Sequence, residues 1–457
     1  MRKTKRIHFV GIGGIGMSGI AEVLLNLGYV VSGSDLNPSD LTRRLQRLGA
    51  VVFHDHAAAH VEGADVVVTS AAVKPDNCEV GTARQYHIPV IPRAEMLAEL
   101  MRMKYSIAVA GAHGKTTTTS LIATVLARGE LDPTAVIGGR LNSIGSNAQL
   151  GQGDYMVVEA DESDGSFLLL SPTIAVVTTV DAEHLDFYGH LEAIQDAFVQ
   201  FVNKVPFYGC SVLCLDQPNI QSMVPRINKR FVTYGLTSQA DYMAREVYFD
   251  GPRSHFEVYH GRERVGRFSL NLPGIHNVYN ALAAIAVGQE LDVPWTTMAK
   301  ALEAFSGIHR RFEIIGIRDG VTVVDDYGHH PEEIRQTLHA AKAVWPEDRL
   351  VVVFQPHRYT RTHLLQQAFC TAFYEADTLI LLDIYAAAEA PIPGVNSAHL
   401  YEGIKEHGHR QVYYLSEQDQ IVPFLHQYLQ ENDVLMTLGA GDVWQIGRAF
   451  YDGSGHE

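Results

Sequence analysis

Between an apolar run, Tyr105–Ala110, and a helical stretch lies Gly111-Ala112-His113-Gly114-Lys115-Thr116-Thr117. Glycines at such a junction let backbone N–H groups wrap phosphates, helped by the positive end of the following helix. Lys115 would reach the β and γ phosphates of ATP, and the Thr116 hydroxyl would ligate Mg²⁺. The general pattern places a glycine five residues before the second one. Val109 stands there and Gly111 comes later, so the loop is a shortened variant.

Two acidic segments end further apolar runs. Residues 155–158 lead into Glu159-Ala160-Asp161-Glu162-Ser163-Asp164, and residues 175–179 lead towards Asp181-Ala182-Glu183-His184. Ligands of open α/β sheets gather at strand carboxyl ends, so both segments can converge on the loop carrying Lys115. A carboxylate with a hydroxyl suits Mg²⁺, and histidine is tolerated beside them. Taken singly, His184 reads as a surface or cap residue. Glu159 is different, because it continues its apolar strand instead of following the turn.

The chain opens with Val10-Gly11-Ile12-Gly13-Gly14-Ile15-Gly16-Met17-Ser18-Gly19, and Asp35 follows the next strand. Gly11, Gly13 and Gly16 fit the dinucleotide fingerprint, with Asp35 where a ribose-binding acid belongs. Alone, this reads as an NAD-dependent oxidoreductase. Its physical content is a tight turn whose N–H groups face a diphosphate, and UDP carries a diphosphate and a ribose too. The second phosphate loop shifts the reading to phosphoryl chemistry on a nucleotide-linked substrate.

Two more polar clusters follow strands near the C-terminus: Asp325-Asp326-Tyr327-Gly328-His329-His330-Pro331 and Gln355-Pro356-His357-Arg358-Tyr359-Thr360-Arg361-Thr362. Arg358 and Arg361 are placed to clamp carboxylate or phosphate oxygens bidentately. Helix caps and solvated loops are the competing reading for each cluster. Gly439-Ala440-Gly441-Asp442 reads as a tight turn, not a third nucleotide site.

These residues need a frame. Val- and Ile-rich runs alternate with amphipathic stretches almost from end to end, which means repeated βα units and largely parallel sheets, an α/β fold. Three blocks are expected, 1–104, 105–306 and 307–457. Strands are expected in the first at Arg6–Val10, Val30–Ser34, 51–54, 65–70 and 90–91. In the third they are expected at 321–324, 350–354, 378–382, 412–415 and 434–438. The apolar runs 66–73 and 168–180 read as buried strands. Alternation in Ser254-His255-Phe256-Glu257-Val258-Tyr259 predicts antiparallel hairpins across 245–272.

At 457 residues the chain exceeds one ordinary core, and with 46% hydrophobic and 19% charged residues it is globular. No apolar run approaches the ~20 residues of a membrane helix. The basic start, residues 1–6, precedes too short an apolar stretch for an export signal. Cys78, Cys210, Cys214 and Cys370 form no disulfide framework, and Cys210 and Cys214 lack a second zinc-ligand pair. A reducing cytoplasm is expected. A net charge of -16 argues against nucleic-acid and anionic-membrane partners, while leaving room for small anions held by local N–H nests.

The ordered motifs resemble the Mur ligases, most closely their alanine-adding branch, over essentially the whole chain. They are the opening glycine segment, Ala112 to Thr119, Glu159 to Asp164, His276-Asn277-Val278-Tyr279-Asn280-Ala281, Arg310-Arg311-Phe312, Asp325 to Pro331 and Gln355 to Thr362. The resemblance implies an N-terminal Rossmann-like domain for the UDP substrate and a central P-loop ATPase, its mostly parallel sheet carrying a small antiparallel part. It also implies a C-terminal Rossmann-like domain that closes on the amino acid. The implied reaction joins L-alanine to the carboxylate of UDP-N-acetylmuramate through an acyl phosphate, with ATP and Mg²⁺. The alternative within the family is a tripeptide-adding recycling ligase.

Roles follow by the same resemblance. ATP contacts are expected from Gly111, Ala112, His113, Gly114, Lys115, Thr116, Thr117, Asn277, Asn280, Arg311 and Asp326. Thr116, Glu159 and His184 are the expected Mg²⁺ ligands. The expected substrate set is Gly13, Gly14, Ile15, Gly16, Asp35, Ser70, Arg93, His184, Arg358 and Arg361. Lys115, Glu159, His184 and His330 are the expected catalytic group, His330 being one guess for the base. A monomer or weak homodimer is expected. Two departures stand out: no lysine occurs between Leu185 and Asn203, where sister ligases carry a carbamylated one, and Asp181-Ala182-Glu183 exchanges the usual acids. The exchange leaves the role of each acid open.

Overall fold

The computed structural model describes residues 5–70, 72–74, 76–141, 146–387 and 389–453, and the strands among them fall into three sheets. The first holds β1 (Arg6–Val10), β2 (Val30–Ser34), β3 (Val51–Phe53), β4 (Val66–Thr69) and β5 (Val90–Pro92). All pair in parallel in the order β3-β2-β1-β4-β5. Strand order reverses at β1, so a crevice opens beyond the carboxyl ends of β1 and β4.

The second sheet contains β6 (Tyr105–Ala110), β7 (Thr134–Leu141), β8 (Ser146–Gln149), β9 (Tyr155–Glu159), β10 (Ile174–Val177), β11 (Cys210–Cys214), β12 (Phe231–Gly235), β13 (Tyr242–Asp250), β14 (Arg253–His260) and β15 (Glu263–Leu270). Their order is β15-β14-β13-β12-β11-β10-β6-β9-β7-β8. β6 lies between β10 and β9, parallel to both, and its Ile107–Ala110 side chains are buried. A strand buried on both faces reads as a continuous apolar run, which is why the sequence marks it so clearly.

The third sheet has β16 (Glu313–Arg318), β17 (Val321–Asp326), β18 (Arg349–Phe354), β19 (Thr378–Leu381), β20 (Val412–Tyr414) and β21 (Asp433–Leu438), in the order β16-β17-β21-β18-β19-β20. It is parallel except for the edge strand β16, which runs antiparallel to β17.

Several expectations need correction. The run 168–180 is not one strand: Ser166–Leu169 is a 3-10 turn, and only Ile174–Val177 is extended. Pro172 lacks the N–H a ladder needs and separates the two. β7, β8, β11, β12 and β16 were not anticipated. β16 mixes Glu, Gly and Arg with isoleucine, the pattern of a half-exposed edge. The hairpins across 245–272 are present, with β13, β14 and β15 as neighbours joined by two-residue turns.

By packing, the chain divides into two compact units. One comprises 1–245, 257–268 and 279–305; the other comprises 246–256, 269–278 and 306–457. The second unit therefore draws on two stretches from the middle of the chain. Within it, the Ser254 hydroxyl donates to the Leu272 carbonyl at 2.6 Å and ties those two stretches together. Among the described residues, no helix is long and apolar enough to cross a membrane.

Candidate active site

In the first unit, β6 ends at Ala110 and the chain turns through Gly111 to Gly114 into the helix Lys115–Arg128. Gly114 caps this helix in the left-handed region, φ 79°, and a Cβ there would lie 2.5 Å from Asn280 Oδ1. Only glycine meets both conditions without strain. After Lys115 the helix runs through four threonines, which are poor helix formers. Tertiary contact overrides that preference: Thr116 to Thr119 are buried, and Thr118 Oγ1 donates to Asn280 Oδ1 at 3.1 Å.

The loop is pinned from β10. The Ala112 N–H donates to the Thr179 carbonyl at 3.0 Å, the His113 N–H to Thr179 Oγ1 at 2.8 Å, and Thr178 Oγ1 to the His113 carbonyl at 2.5 Å. Lys115 Nζ folds back to the Gly111 carbonyl at 2.6 Å and to Glu162 Oε1 at 2.6 Å. The Glu162 side chain is only 4% exposed, so this is an ion pair withdrawn from water. Burial alone would lower the Lys115 pKa, but the carboxylates of Glu162 and Glu159 outweigh it and keep the ammonium charged.

Glu159 closes β9 beside the loop. Its carboxylate accepts from Thr116 Oγ1 at 3.0 and 3.2 Å and from the Gly138 N–H at 2.8 Å. A hydroxyl and a carboxylate at this separation suit a hard divalent cation. His184, the third expected ligand, caps the short helix Leu185–Tyr188 with φ 55°. Glu183 connects it to the loop: Oε2 is 3.8 Å from His184 Nε2, and Oε1 is 3.4 Å from His113 Nε2. Asp181 also faces His113 Nε2, at 3.4 Å, so both exchanged acids address the same ring.

The opening glycine segment belongs to the same unit. Ser34 at the end of β2 accepts the Gly11 and Ile12 N–H groups at 2.8 and 3.0 Å on its carbonyl, and Asp35 Oδ2 accepts the Gly13 N–H at 2.8 Å. Gly14 caps the helix Ile15–Asn26, and Ser70 follows β4 across the crevice. Arg93 starts the helix Arg93–Met101 and reaches Asp161 at 3.0 Å, joining the first sheet's loops to the acidic segment after β9. Burial opposes ionisation of Asp161, but its bonds with Ser163 and the charges of Arg93 and Lys115 hold its pKa below the usual value.

The second unit holds its own cluster, at the carboxyl ends of β17, β21 and β18. Arg310 (φ 62°) donates to Asp325 Oδ2 at 3.1 Å and to the Gly439 and Gly441 carbonyls at 2.5 and 3.0 Å. Burial pushes the Asp325 carboxyl up to about 6 against that guanidinium. Asp326 is also raised by burial, and accepts from the Phe312 and Gly328 N–H groups at 2.8 and 2.7 Å. Arg310 and Arg311 both lie over the Tyr327 ring, at 5.0 and 5.1 Å. His330 opens the helix Pro331–Val344, its N–H donating to Glu333 at 3.2 Å. Asn277 Nδ2 donates to the Pro273 carbonyl at 2.7 Å.

Beside them His357 lies parallel to Tyr385 at 5.6 Å and 5.9 Å from the His329 ring. Arg361 reaches His357 Nδ1 at 3.2 Å, and Arg358 (φ 73°) begins the next helix. Burial, then the nearby Arg361 and Arg358, lowers His357 to about 4; burial lowers His329 to about 3. Both rings are neutral at neutral pH. Thus Lys115, Thr116, Glu159, Asn280, Arg93 and the glycine segment share the first unit, while Asn277, Arg311, Asp326, His330, Arg358 and Arg361 share the second. Glu162, Thr178 and Thr179 were given no role from sequence. An acid three residues after Glu159 and paired threonines just after β10 were the available signals.

Family models match the chain in three stretches: residues 6–105 match the Mur ligase family catalytic domain, 109–288 the Mur ligase middle domain and 310–441 the Mur ligase glutamate ligase domain. The UDP-N-acetylmuramate–L-alanine ligase of Geobacter sp. strain M21 is 60% identical over 445 residues, covering 97% of this chain and 96% of its own length. That of Desulfatibacillum aliphaticivorans is 59% identical over 449 residues, covering 98% of each. Among solved structures, the UDP-N-acetylmuramate-alanine ligase of Thermotoga maritima aligns with a TM-score of 0.84 at 31% identity, covering 98% of this chain and 99% of that one. A murein peptide ligase from Psychrobacter arcticus aligns at 0.74 and 25% identity, covering 99% of both.

Proposed function

This chain belongs to the Mur ligase family, and we propose that the loop around Lys115 is where it activates a carboxylate with ATP. The enzyme ligates L-alanine to the carboxylate of UDP-N-acetylmuramate in peptidoglycan synthesis. The observation that carries the site assignment is the pairing of Lys115 with Glu162 and of Thr116 with Glu159 at the carboxyl ends of β6 and β9.

The muramyl carboxylate oxygen attacks the γ-phosphorus, the bond to the bridging oxygen breaks, and ADP leaves an acyl phosphate behind. The amine of L-alanine, having lost its ammonium proton, then attacks the carbonyl carbon and expels inorganic phosphate. Phosphorylation is needed because a carboxylate oxygen is a poor leaving group. Lys115 would turn from Glu162 to the β and γ phosphates, the loop N–H groups would hold them, and positioning with electrostatics would supply most of the rate. Thr116, Glu159 and His184 would hold Mg²⁺, which when bound offsets charge on the transferring phosphoryl group.

The diphosphate of the UDP substrate is assigned to the opening glycine segment, with Asp35, Ser70 and Arg93 around it. Arg358 and Arg361 are assigned to the amino-acid carboxylate. His330 stands among neutral histidines, and we retain it as the base. Blocks 1–104, 105–306 and 307–457 are taken as the UDP, ATP and amino-acid domains. A cytoplasmic setting and a monomer or weak homodimer complete the reading.

Phosphate release by purified protein with Mg-ATP and UDP-N-acetylmuramate tests it, comparing L-alanine, the tripeptide and no amine. Release should require the sugar and L-alanine and fall by at least ~10³-fold in Lys115→Ala. Release only with the tripeptide moves the chain to the recycling branch. Silence everywhere, with NADH binding instead, sinks the ligase reading.

A further inference from the structure

Beneath the glycine segment, outside the groups given a role so far, lies a carboxylate ringed by three histidines. Glu79 stands near the start of the helix Cys78–Gln85, held there by Asn77 Oδ1, which accepts its N–H at 2.9 Å. Its side chain is fully buried. Oε2 accepts from Ser34 Oγ at 2.6 Å and lies 3.0 Å from His56 Nδ1; Oε1 lies 2.9 Å from His60 Nδ1 and 3.7 Å from His8 Nε2. His60 is stacked on Phe53 at 3.8 Å and faces Asp55 at 3.6 Å, and the other ring nitrogen of His8 meets Ser32 Oγ at 2.9 Å. Burial would raise this carboxyl, but its polar neighbours outweigh that and hold it down at about 2.

One of those neighbours is also the anchor of the loop. The carbonyl of Ser34 takes the N–H groups of Gly11 and Ile12, and the adjoining Asp35 takes that of Gly13. Three successive loop N–H groups therefore hang from Ser34, which ends β2, and Asp35, which follows it. The side chain that fixes the first of these residues from below is Glu79. An ionised group kept in a buried place is expensive to hold, and an apolar filler would serve packing alone at least as well.

We propose that Glu79 is a positioning residue for the UDP-linked substrate: by clamping Ser34 it sets the glycine loop at the height and angle from which the diphosphate is held. The proposal rests on assigning the diphosphate to this loop. Glu79 itself touches no substrate. The ATP loop hangs from β6 in another sheet, so its geometry does not depend on this clamp. Small displacements of a binding loop cost large factors in affinity, whereas uniform loss of stability does not separate one substrate from another.

Steady-state kinetics on the full-length enzyme with the three substrates varied in turn decides it. Glu79→Gln keeps the shape and removes the charge. It should raise KM for UDP-N-acetylmuramate by about ten-fold, with KM for ATP and kcat within about two-fold. Ser34→Ala removes only the hydroxyl and should shift the same KM in the same direction by about three-fold; it decides the matter if Glu79→Gln does not fold. Equal changes in all three KM values, or no change in either variant, overturn the proposal. Gly16→Ala, whose new Cβ would press on Arg93 at 2.9 Å, tests the loop assignment separately. If it leaves the sugar KM unchanged, the loop assignment falls and this inference with it. If it raises that KM while both Glu79→Gln and Ser34→Ala do not, only the positioning role falls.

Discussion

Glu159 accepts two hydrogen bonds of different purpose: the Gly138 N–H fixes the carboxylate from one side, and the Thr116 hydroxyl meets it from the other. A carboxylate so restrained needs little rearrangement to take a cation. Glu159→Gln keeps the shape and loses the charge; kcat should fall by about 100-fold or more and half-maximal activity should need more Mg²⁺. A Mg²⁺ titration of phosphate release reads both, and an unchanged requirement would remove Glu159 from the metal. The sequence discloses Glu159 and Lys115 because each lies on an element with a clear local pattern. It does not disclose their partners. Lys115 and Glu162 are 47 positions apart, and Arg93 and Asp161 are 68, so no local periodicity couples them. His184, Arg310 and Arg358 adopt positive φ, which side-chain type alone does not predict for His or Arg. Such strain is held by surrounding structure, and all three sit beside proposed site residues.

At the scale of elements, the strand–loop–helix unit from Tyr105 to Arg128 is the most readable part of the chain. Its strand is a six-residue, mostly apolar run, its breakers are glycines, and its helix is buried on more than one face. Gly114→Ala places a Cβ at φ 79° against Asn280. A left-handed non-glycine residue costs about 1–2 kcal/mol, to which the contact adds. Urea melts should show that loss, with KM for ATP raised well above wild type while KM for L-alanine changes less. Full retention of both would mean the loop relaxes easily and its geometry is not specific to nucleotide. Edge and interrupted elements were harder to read. β16 lacks the continuous apolar run of a central strand, and the run 168–180 looked uniform only because a proline break and a 3-10 turn keep an apolar composition.

Across the molecule, the two units respond to acid through different groups. In the first, Glu79 stays ionised to about pH 2. In the second, His357 takes up a proton only near pH 4, against 6.5 for the same ring in the unfolded chain. Below 6.5 the unfolded state therefore binds the proton first, so stability present above 6.5 is lost as pH falls towards 4. Asp325, raised to about 6 from 3.8, works in the opposite direction over part of that window. His357→Gln should lessen the fall in melting temperature between pH 6.5 and 4, the remainder coming from His329, which is held at about 3; an unaltered slope would assign the acid sensitivity elsewhere. The alternation of strands and helices made the three sheets legible, but not the division into two units, because stretches 246–256 and 269–278 leave one unit for the other and return. That threading bears on how the chain is made. As it emerges from the ribosome, the first unit cannot close until residue 305 is out. By then residues 246–256, which belong to β13 and β14 of the second sheet, and residues 269–278 have waited for the rest of the second unit, residues 306–457, which must arrive after them. Slowing translation just past residue 305 would lengthen that wait and expose those stretches to chaperones and to mispairing.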